Sequence, residues 1–331
     1  MKNKSNITEH NKEMANPETK IHESLQKPER KITDNFIFCC IAAFLLITAG
    51  QFLGTVVVFL IAGAFGGIST VSFSLDAEDI VVSSLNPSPL MITLSNYIVF
   101  IGIWIITILW LLRKNNRPIL KSIGTSEKGN TISMFLLGLL IGFVMNGLCI
   151  LAGYLHGDIH MYYDSFKPLP LLIIFISVFI QSSAEELVCR GYLYRKLLNR
   201  YSPTVAIIVS SLFFSYLHIG NSGIGIIALI SLFAVGLLLA LIVYYFDSIW
   251  CAFAVHTAWN FTQNIIFGLP NSGIVSPFSI LKLDTATASN SLFYNVGFGV
   301  EGTIFAIVII VIACVLVTIF GRRKKQRELA M

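Results

Sequence analysis

The chain has 331 residues, of which 55% are hydrophobic and 12% are charged, and its formal net charge is +5. Soluble globular domains carry about 25% charged residues, so this composition excludes a typical soluble fold and indicates an all-α, polytopic membrane protein. The basic residues of such proteins follow membrane topology and anionic headgroups. We therefore expect membrane lipids as partners of the positive charge, and no nucleic acid.

Eight apolar runs are long enough to cross a bilayer, which takes about 20 helical residues for each crossing. The sequence therefore predicts a bundle of eight transmembrane helices within residues 35–320. The fifth and seventh runs carry polar residues, and only Asp247 separates the sixth from the seventh. The runs lie near residues 35–63, 90–112, 131–155, 168–188, 204–220, 226–246, 248–267 and 301–320.

The distribution of Lys and Arg predicts the orientation of this bundle, because these residues gather in short cytoplasmic loops. With eight spans and a cytoplasmic N-terminus, the exterior loops hold only Lys167 and Lys282. Both termini are then cytoplasmic, and we expect a multi-pass protein of a bacterial plasma membrane. The cytoplasmic segments hold the other 21 of the 23 basic residues, namely Lys2, Lys4, Lys12, Lys20, Lys27, Arg30, Lys31, Arg113, Lys114, Arg117, Lys121, Lys128, Arg190, Arg195, Lys196, Arg200, Arg322, Arg323, Lys324, Lys325 and Arg327.

Polar segments flank and interrupt the apolar runs. Residues 1–34 are rich in Lys, Glu and Asn and lack the hydrophobic core of a signal peptide, which predicts a disordered cytoplasmic tail. Residues 321–331 form a basic cytoplasmic tail. The exterior loops at about 66–89 and 268–300 are interpreted as linkers or lids rather than folded domains.

Two adjacent carboxylates lie near the end of the fourth run, Glu185 and Glu186. An ionisable residue at membrane depth is costly unless it is paired or hydrated, so it indicates function by default. Glu186 and Arg190 are four residues apart on a helix and can pair, which leaves Glu185 to point elsewhere. The alternative is a structural ion-pair network at the cytoplasmic end of the helix.

Two further polar groups occupy later runs. His256 and Asn260 share one helical face, and such a pair can donate hydrogen bonds to a developing oxyanion. His218 follows Phe214 by one turn in the fifth run. Taken singly, each group is explained by interhelical hydrogen bonding or packing. The three groups together, in this order, favour a hydrolytic site inside the membrane.

These residues resemble the motifs of the CPBP family of intramembrane proteases, also called the Abi or CAAX-protease and bacteriocin-processing family. The family pattern is EExxxR, FxxxH and HxxxN on separate transmembrane helices. It is matched by the segments Glu185–Arg190, Phe214–His218 and His256–Asn260. The resemblance covers about residues 165–265, and Cys189, where an aromatic residue is common in the family, departs mildly from the pattern.

The resemblance implies peptide-bond hydrolysis in or at the edge of the membrane. It implies that Glu185 and His218 activate the attacking water, that Glu186 pairs with Arg190, and that His256 and Asn260 stabilise the oxyanion. No cofactor is certain. A metal-free mechanism and a divalent metal such as Zn²⁺ held by Glu185, His218 and His256 both remain open.

We therefore expect an endopeptidase that acts on a membrane-associated peptide or a lipidated protein precursor. The alternative is a non-catalytic protein of the same fold, acting in bacteriocin immunity or as a regulator that binds a partner. An ion or proton carrier is a third class, although the sequence lacks the matched Gly/Pro breaks that transporters often show. For the three clusters to meet, the fourth helix must continue past Arg190, to about Arg200, as an amphipathic extension.

Overall fold

The computed structural model describes residues 34–66, 88–125 and 128–330, and these residues are mostly helical. Most of the predicted tail at 1–34 and of the loop at 66–89 lies outside the described residues. The helices are α1 Phe36–Gly66, α2 Pro89–Ile98, α3 Ile101–Leu111, α4 Arg117–Ile123, α5 Ile132–His156, α6 Pro168–Glu186, α7 Arg195–Leu198, α8 Pro203–Tyr216, α9 Ile226–Phe246, α10 Ile249–Asn260 and α11 Ile304–Ala330. Two short strands, β1 Met161–Tyr163 and β2 Leu281–Leu283, pair antiparallel.

Six of the predicted spans are helices that are long and apolar enough, by length and composition, to cross a membrane. The other two predicted spans, the fifth and the seventh, are shorter α-helices. The fifth is the 14-residue helix α8, and the seventh is the 12-residue helix α10, which continues as a π-helix over Phe261–Ile266. The six long spans are Phe36–Ile61, Pro89–Leu111, Ile132–His156, Pro168–Leu198, Ile226–Phe246 and Ile304–Arg327.

The fourth span continues beyond the motif residues Glu185 and Glu186. Helix α6 does not stop at Glu186 but continues as a π-helix over Leu187–Tyr194 and then as α7. The expected extension past Arg190 is therefore present. It is mostly buried rather than amphipathic, since Tyr192, Leu193 and Leu197 are at most 3% exposed. π-Helical turns are rare and occur frequently at functional sites.

Small residues bring α10, which carries His256 and Asn260, close to α5. A Cβ atom on Gly138 would lie 2.6 Å from the carbonyl oxygen of Cys251, and one on Gly142 would lie 2.3 Å from that of Val255. Helices in membranes pack closely where small residues face each other. Glycine at these two positions therefore fixes the depth and rotation of α10 in the bundle.

Residues 267–303, here called the cover segment, fold onto one end of the bundle. Leu269, Tyr294 and Phe298 of this segment are fully buried. Its strand β2 pairs with β1, and Ser291 donates a hydrogen bond of 2.5 Å to the buried carboxylate of Asp158. The loop expected at 268–300 is thus a packed part of the core and not a linker.

Candidate active site

Arg190 and Glu186 form a fully buried ion pair. Nη1 of Arg190 lies 2.9 Å from the Glu186 carboxylate, and Nη2 donates to the carbonyl oxygen of Gly236 on α9 at 2.8 Å. The guanidinium also lies over the ring of Phe214, 4.6 Å from its centroid. Arginine tolerates burial when its planar group is paired and stacked. The pair therefore links the fourth span to α8 and α9.

Glu185 points away from this pair, as the helical spacing predicts. Its Oε1 atom accepts a hydrogen bond of 2.6 Å from Nε2 of Gln181, one turn earlier. Its Oε2 atom is buried and accepts no hydrogen bond from any residue that the structure describes. Oε2 lies 4.0 Å from Nε2 of His218 and 3.9 Å from Nε2 of His256. One carboxylate oxygen is thus held by the protein and the other faces two imidazoles.

The second ring nitrogen of each histidine is occupied by the protein. Nδ1 of His218 lies 2.9 Å from the carbonyl oxygen of Phe214, which can only accept, so Nδ1 carries the proton. Nδ1 of His256 lies 3.1 Å from Oε1 of Glu186 and donates to it in the same way. When the rings are neutral, both Nε2 atoms are left as proton acceptors.

The separations between these groups suit a bridging water. A distance of 3.9–4.0 Å is too long for a direct hydrogen bond. A cavity of about 30 Å³ lies beside the two imidazoles, Asn260, Ser272 and Glu301. A cavity of this size has room for one or two water molecules. Its remaining wall is apolar and comes mostly from α9 and α10, so a water there has few partners other than the site residues.

The carboxamide of Asn260, which the resemblance assigns to oxyanion stabilisation, is hydrogen-bonded to neighbouring side chains. Its Nδ2 atom donates to Oε1 of Gln181 at 3.0 Å and to Oγ of Ser182 at 3.2 Å. Its Oδ1 atom accepts from Nδ2 of Asn271 in the cover segment at 3.2 Å. Both of its N–H groups are therefore engaged, and Asn260 holds the glutamine that holds Glu185.

The predicted metal ligands do not form a metal site in this arrangement. No group of three or more His, Cys, Asp or Glu side chains among residues 34–66, 88–125 and 128–330 is arranged to hold a metal ion. Two ligands on a tetrahedral zinc ion are separated by about 3.3 Å, given zinc–ligand distances of about 2.0–2.1 Å. The separations between Glu185 and the two histidines are longer. The side chains as placed therefore do not fit a bound zinc ion.

All six predicted site residues lie together in the bundle, and the structure adds four residues that the motifs did not indicate. Gln181 and Ser182 lie one turn before the carboxylates. Asn271 and Glu301 come from the cover segment and its short helical turn Val300–Gly302. Glu301 is a carboxylate at the start of an apolar run, as Glu185 is one near the end of another run. This pattern could have indicated Glu301 as a site residue. Asn271 lies in a polar loop without any such signal.

One family model matches the part of the chain that carries the three motifs. Residues 167–262 match the model of a family described as type II CAAX prenyl endopeptidase Rce1-like, and this segment contains all three motifs. No curated protein and no solved structure matches the chain. The match confirms the resemblance drawn from the motifs. Residues 167–262 are therefore similar to the Rce1-like type II CAAX prenyl endopeptidases, which is consistent with an intramembrane protease of the CPBP family.

Proposed function

We propose that the protein is an intramembrane endopeptidase that hydrolyses a peptide bond in a membrane-associated peptide or protein precursor. The observation that carries this proposal is the unpartnered Oε2 atom of Glu185, which faces Nε2 of His218 at 4.0 Å and Nε2 of His256 at 3.9 Å. A water between these atoms donates one hydrogen bond to the Glu185 carboxylate and the other to Nε2 of His218. Its lone pair is then free to attack a carbonyl carbon.

In the proposed reaction Glu185 acts as the general base. Its carboxylate takes a proton from the water as the new C–O bond forms, while His218 orients the water through its unprotonated Nε2. The protonated carboxyl group then gives the proton to the leaving amide nitrogen as the C–N bond breaks. Protons and electron pairs balance within these side chains, and no other reactant is needed.

His256 and Asn260 are proposed to stabilise the tetrahedral intermediate. Both line the cavity that His218 also lines. The longer of the two Asn260 hydrogen bonds, to Oγ of Ser182 at 3.2 Å, is the one that an incoming substrate oxygen can replace. Protonated His256 is supported by Glu186 at Nδ1 and presents Nε2–H to the same space. Donors prepared in this way are worth several kcal/mol when charge develops.

We propose the metal-free version of this reaction, because the three predicted ligands are too far apart as placed. The metallopeptidase version is the alternative, and chelation distinguishes them. Loss of activity on chelation, restored by Zn²⁺, favours the metal version, whereas unchanged activity favours the metal-free version.

The proposed topology has eight crossings with both termini cytoplasmic, in a bacterial plasma membrane. Pairing of β1 with β2 requires the segment after α5 and the cover segment to lie on one side of the membrane. Asn130 accepts hydrogen bonds from the backbone of Ile249 and Trp250, so the segments before α5 and before α10 also share a side. Both requirements support a bundle in which α8 and α10 each carry the chain across.

The test of the proposed function is Glu185→Gln. Glutamine keeps the shape of the side chain and an oxygen that accepts from Gln181, but it does not take a proton from water. The variant, reconstituted in liposomes, should insert and fold as the wild type does and should fail to cleave a prenylated CAAX peptide and its unlipidated counterpart.

Asp164→Asn is the control for this experiment, because it removes an exposed carboxylate that pairs with Lys282 at 3.0 Å, away from the site. It should retain activity. Full biological function of Glu185→Gln would overturn the protease proposal and leave the non-catalytic role in immunity or partner binding.

A further inference from the structure

A chain of side-chain amides connects Glu185 to a second buried carboxylate, Glu301. Gln181 donates to Glu185 at 2.6 Å, and Asn260 donates to Gln181 at 3.0 Å. Asn271 then donates to Asn260 at 3.2 Å and to Oε1 of Glu301 at 3.4 Å. The side chains in this chain are all at most 9% exposed. Three elements contribute to it: the fourth span, α10 and the cover segment.

The chain has a direction, which its two ends fix. The Oε1 atom of Glu301 is an acceptor, so Asn271 must turn its NH₂ group towards it. The second N–H of that group then meets Oδ1 of Asn260, which leaves the NH₂ group of Asn260 facing Gln181. Gln181 in turn presents its NH₂ group to Glu185. Reversal of any one amide would place two acceptors or two donors face to face in a buried site.

Hydrogen bonds from Ser272 also fix the position of the Glu301 carboxylate. Its Oε1 atom also accepts hydrogen bonds from the backbone N–H of Ser272 and from Oγ of Ser272, the latter at 3.2 Å. The helical turn that carries Glu301 begins after Gly299, whose φ is +87°. A Cβ atom at Gly299 would lie 2.0 Å from the carbonyl oxygen of Pro270. The backbone next to Asn271 thus packs closely against the backbone next to Glu301.

We infer that Asn271 and Glu301 are positioning residues of the active site. They set the orientation of the Asn260 and Gln181 carboxamides, and through these they hold Oε1 of Glu185 so that Oε2 faces the water. This inference rests on the proposed function, and it extends the active site beyond the matched residues 167–262 into the cover segment. It gives Asn260 a second role, in addition to its contact with substrate.

Asn271→Asp tests the direction of the chain. The substitution keeps the shape of the side chain but removes its NH₂ group, so residue 271 can only accept. It repels the Glu301 carboxylate and draws the NH₂ group of Asn260 towards itself, away from Gln181. We expect kcat to fall by about tenfold to a hundredfold, because a catalytic group is misoriented, while KM for the prenylated CAAX peptide stays within about twofold. The melting temperature should fall as well.

The double variant Asn271→Asp/Glu301→Gln separates positioning from stability. The repulsion between the two carboxylates disappears, so the melting temperature should rise above that of Asn271→Asp. It should stay below that of the wild type, because one atom of the new amide at 301 cannot both donate to the carboxylate at 271 and accept from Ser272. The direction of the Asn260 amide stays reversed, so kcat should stay low. Asn130→Asp is the matched control. Asn130 is a buried amide before α5, and its Nδ2 donates to the backbone carbonyl oxygens of residues 122–124, away from the cover segment. That variant should lose stability and keep kcat.

Three results would overturn the inference. They are a wild-type kcat in Asn271→Asp, a recovery of kcat together with melting temperature in the double variant, and a double variant that is no more stable than Asn271→Asp. Failure of the proposed function looks different, since the wild type itself then cleaves neither peptide. The recovery of melting temperature would in that case still show the Asn271–Glu301 contact, but the positioning role would fall with the reaction.

Discussion

His256 donates a hydrogen bond of 3.1 Å from Nδ1 to Oε1 of Glu186, across 70 residues of sequence. The same carboxylate pairs with Arg190 at 2.9 Å. One buried carboxylate therefore neutralises the arginine and also fixes the tautomer of the histidine, which turns Nε2 towards Glu185. Of the two adjacent glutamates, Glu186 thus holds the neighbouring side chains in place, and Glu185 is the proposed general base.

The dual role of Glu186 predicts the effect of Glu186→Gln. The amide oxygen still accepts from His256, but Arg190 loses the charge that compensates its burial. Removing one partner of a buried ion pair costs about 3–5 kcal/mol, so we expect a clear fall in the free energy of unfolding and in expression, along with activity. Thermal unfolding in detergent measures this fall.

The double variant Glu186→Gln/Arg190→Met is the control for that prediction. It removes both buried charges, and such replacements are often neutral in stability. It should therefore recover much of the lost melting temperature. A Glu186→Gln variant as stable as the wild type would show that the arginine does not depend on this carboxylate.

Asp158 predicts an acid-sensitive attachment of the cover segment. Burial raises its pKa, but hydrogen bonds from Ser291, His156 and Ser289 outweigh burial, so the net pKa lies below the ordinary value of 3.8. An acid whose pKa is lowered by folding stabilises the fold above its unfolded pKa, and this stabilisation is lost as the pH falls through the folded pKa.

We therefore expect Asp158→Asn to be less stable than the wild type near neutral pH, with the difference shrinking below about pH 4. Melting temperatures between pH 3 and pH 7 measure this difference. Asp164→Asn, at a partly exposed pair with Lys282, should change little at any pH, since surface pairs contribute about 0–1 kcal/mol. A constant difference between Asp158→Asn and the wild type would contradict the prediction.

Local spacing was sufficient to predict the Glu186–Arg190 pair, because residues four apart on a helix face each other. Apolar runs likewise located the six helices that are long enough to cross a membrane. The π-helical segments that follow Glu186 and Asn260 were not predictable, because their geometry depends on packing between helices and not on residue preference. The contact of Asn271 with Asn260 could not be predicted either, because it depends on how the cover segment folds onto the bundle.

The proposed topology predicts the side on which reporter fusions are active. Fusions at residues 160 and 285 should be exterior, because β1 and β2 tie these two regions together. Fusions at residues 120 and 325 should be cytoplasmic, in keeping with the basic residues there. Alkaline phosphatase and fluorescent protein fusions report the two sides. A cytoplasmic signal at 285 with an exterior signal at 160 would contradict both the eight-span topology and the strand pairing.

Asn260→Ala tests the residue that links Gln181 to the cover segment. The substitution removes the donor that holds Gln181 and the proposed donor to the oxyanion, while Glu185, His218 and His256 remain. We expect kcat to fall by about 10²–10³-fold and to leave measurable activity, unlike Glu185→Gln, which should leave none.

Asn130→Ala is the matched control, because Asn130 is also a buried amide that binds α10, yet its partners are backbone groups of residues 122–124 and 249–250, away from Glu185. It should lower the melting temperature and keep kcat. Steady-state cleavage in liposomes, with melting temperature followed in parallel, measures both variants. Equal losses of kcat in the two variants would mean that Asn260 acts only through the stability of α10 and takes no part in the reaction.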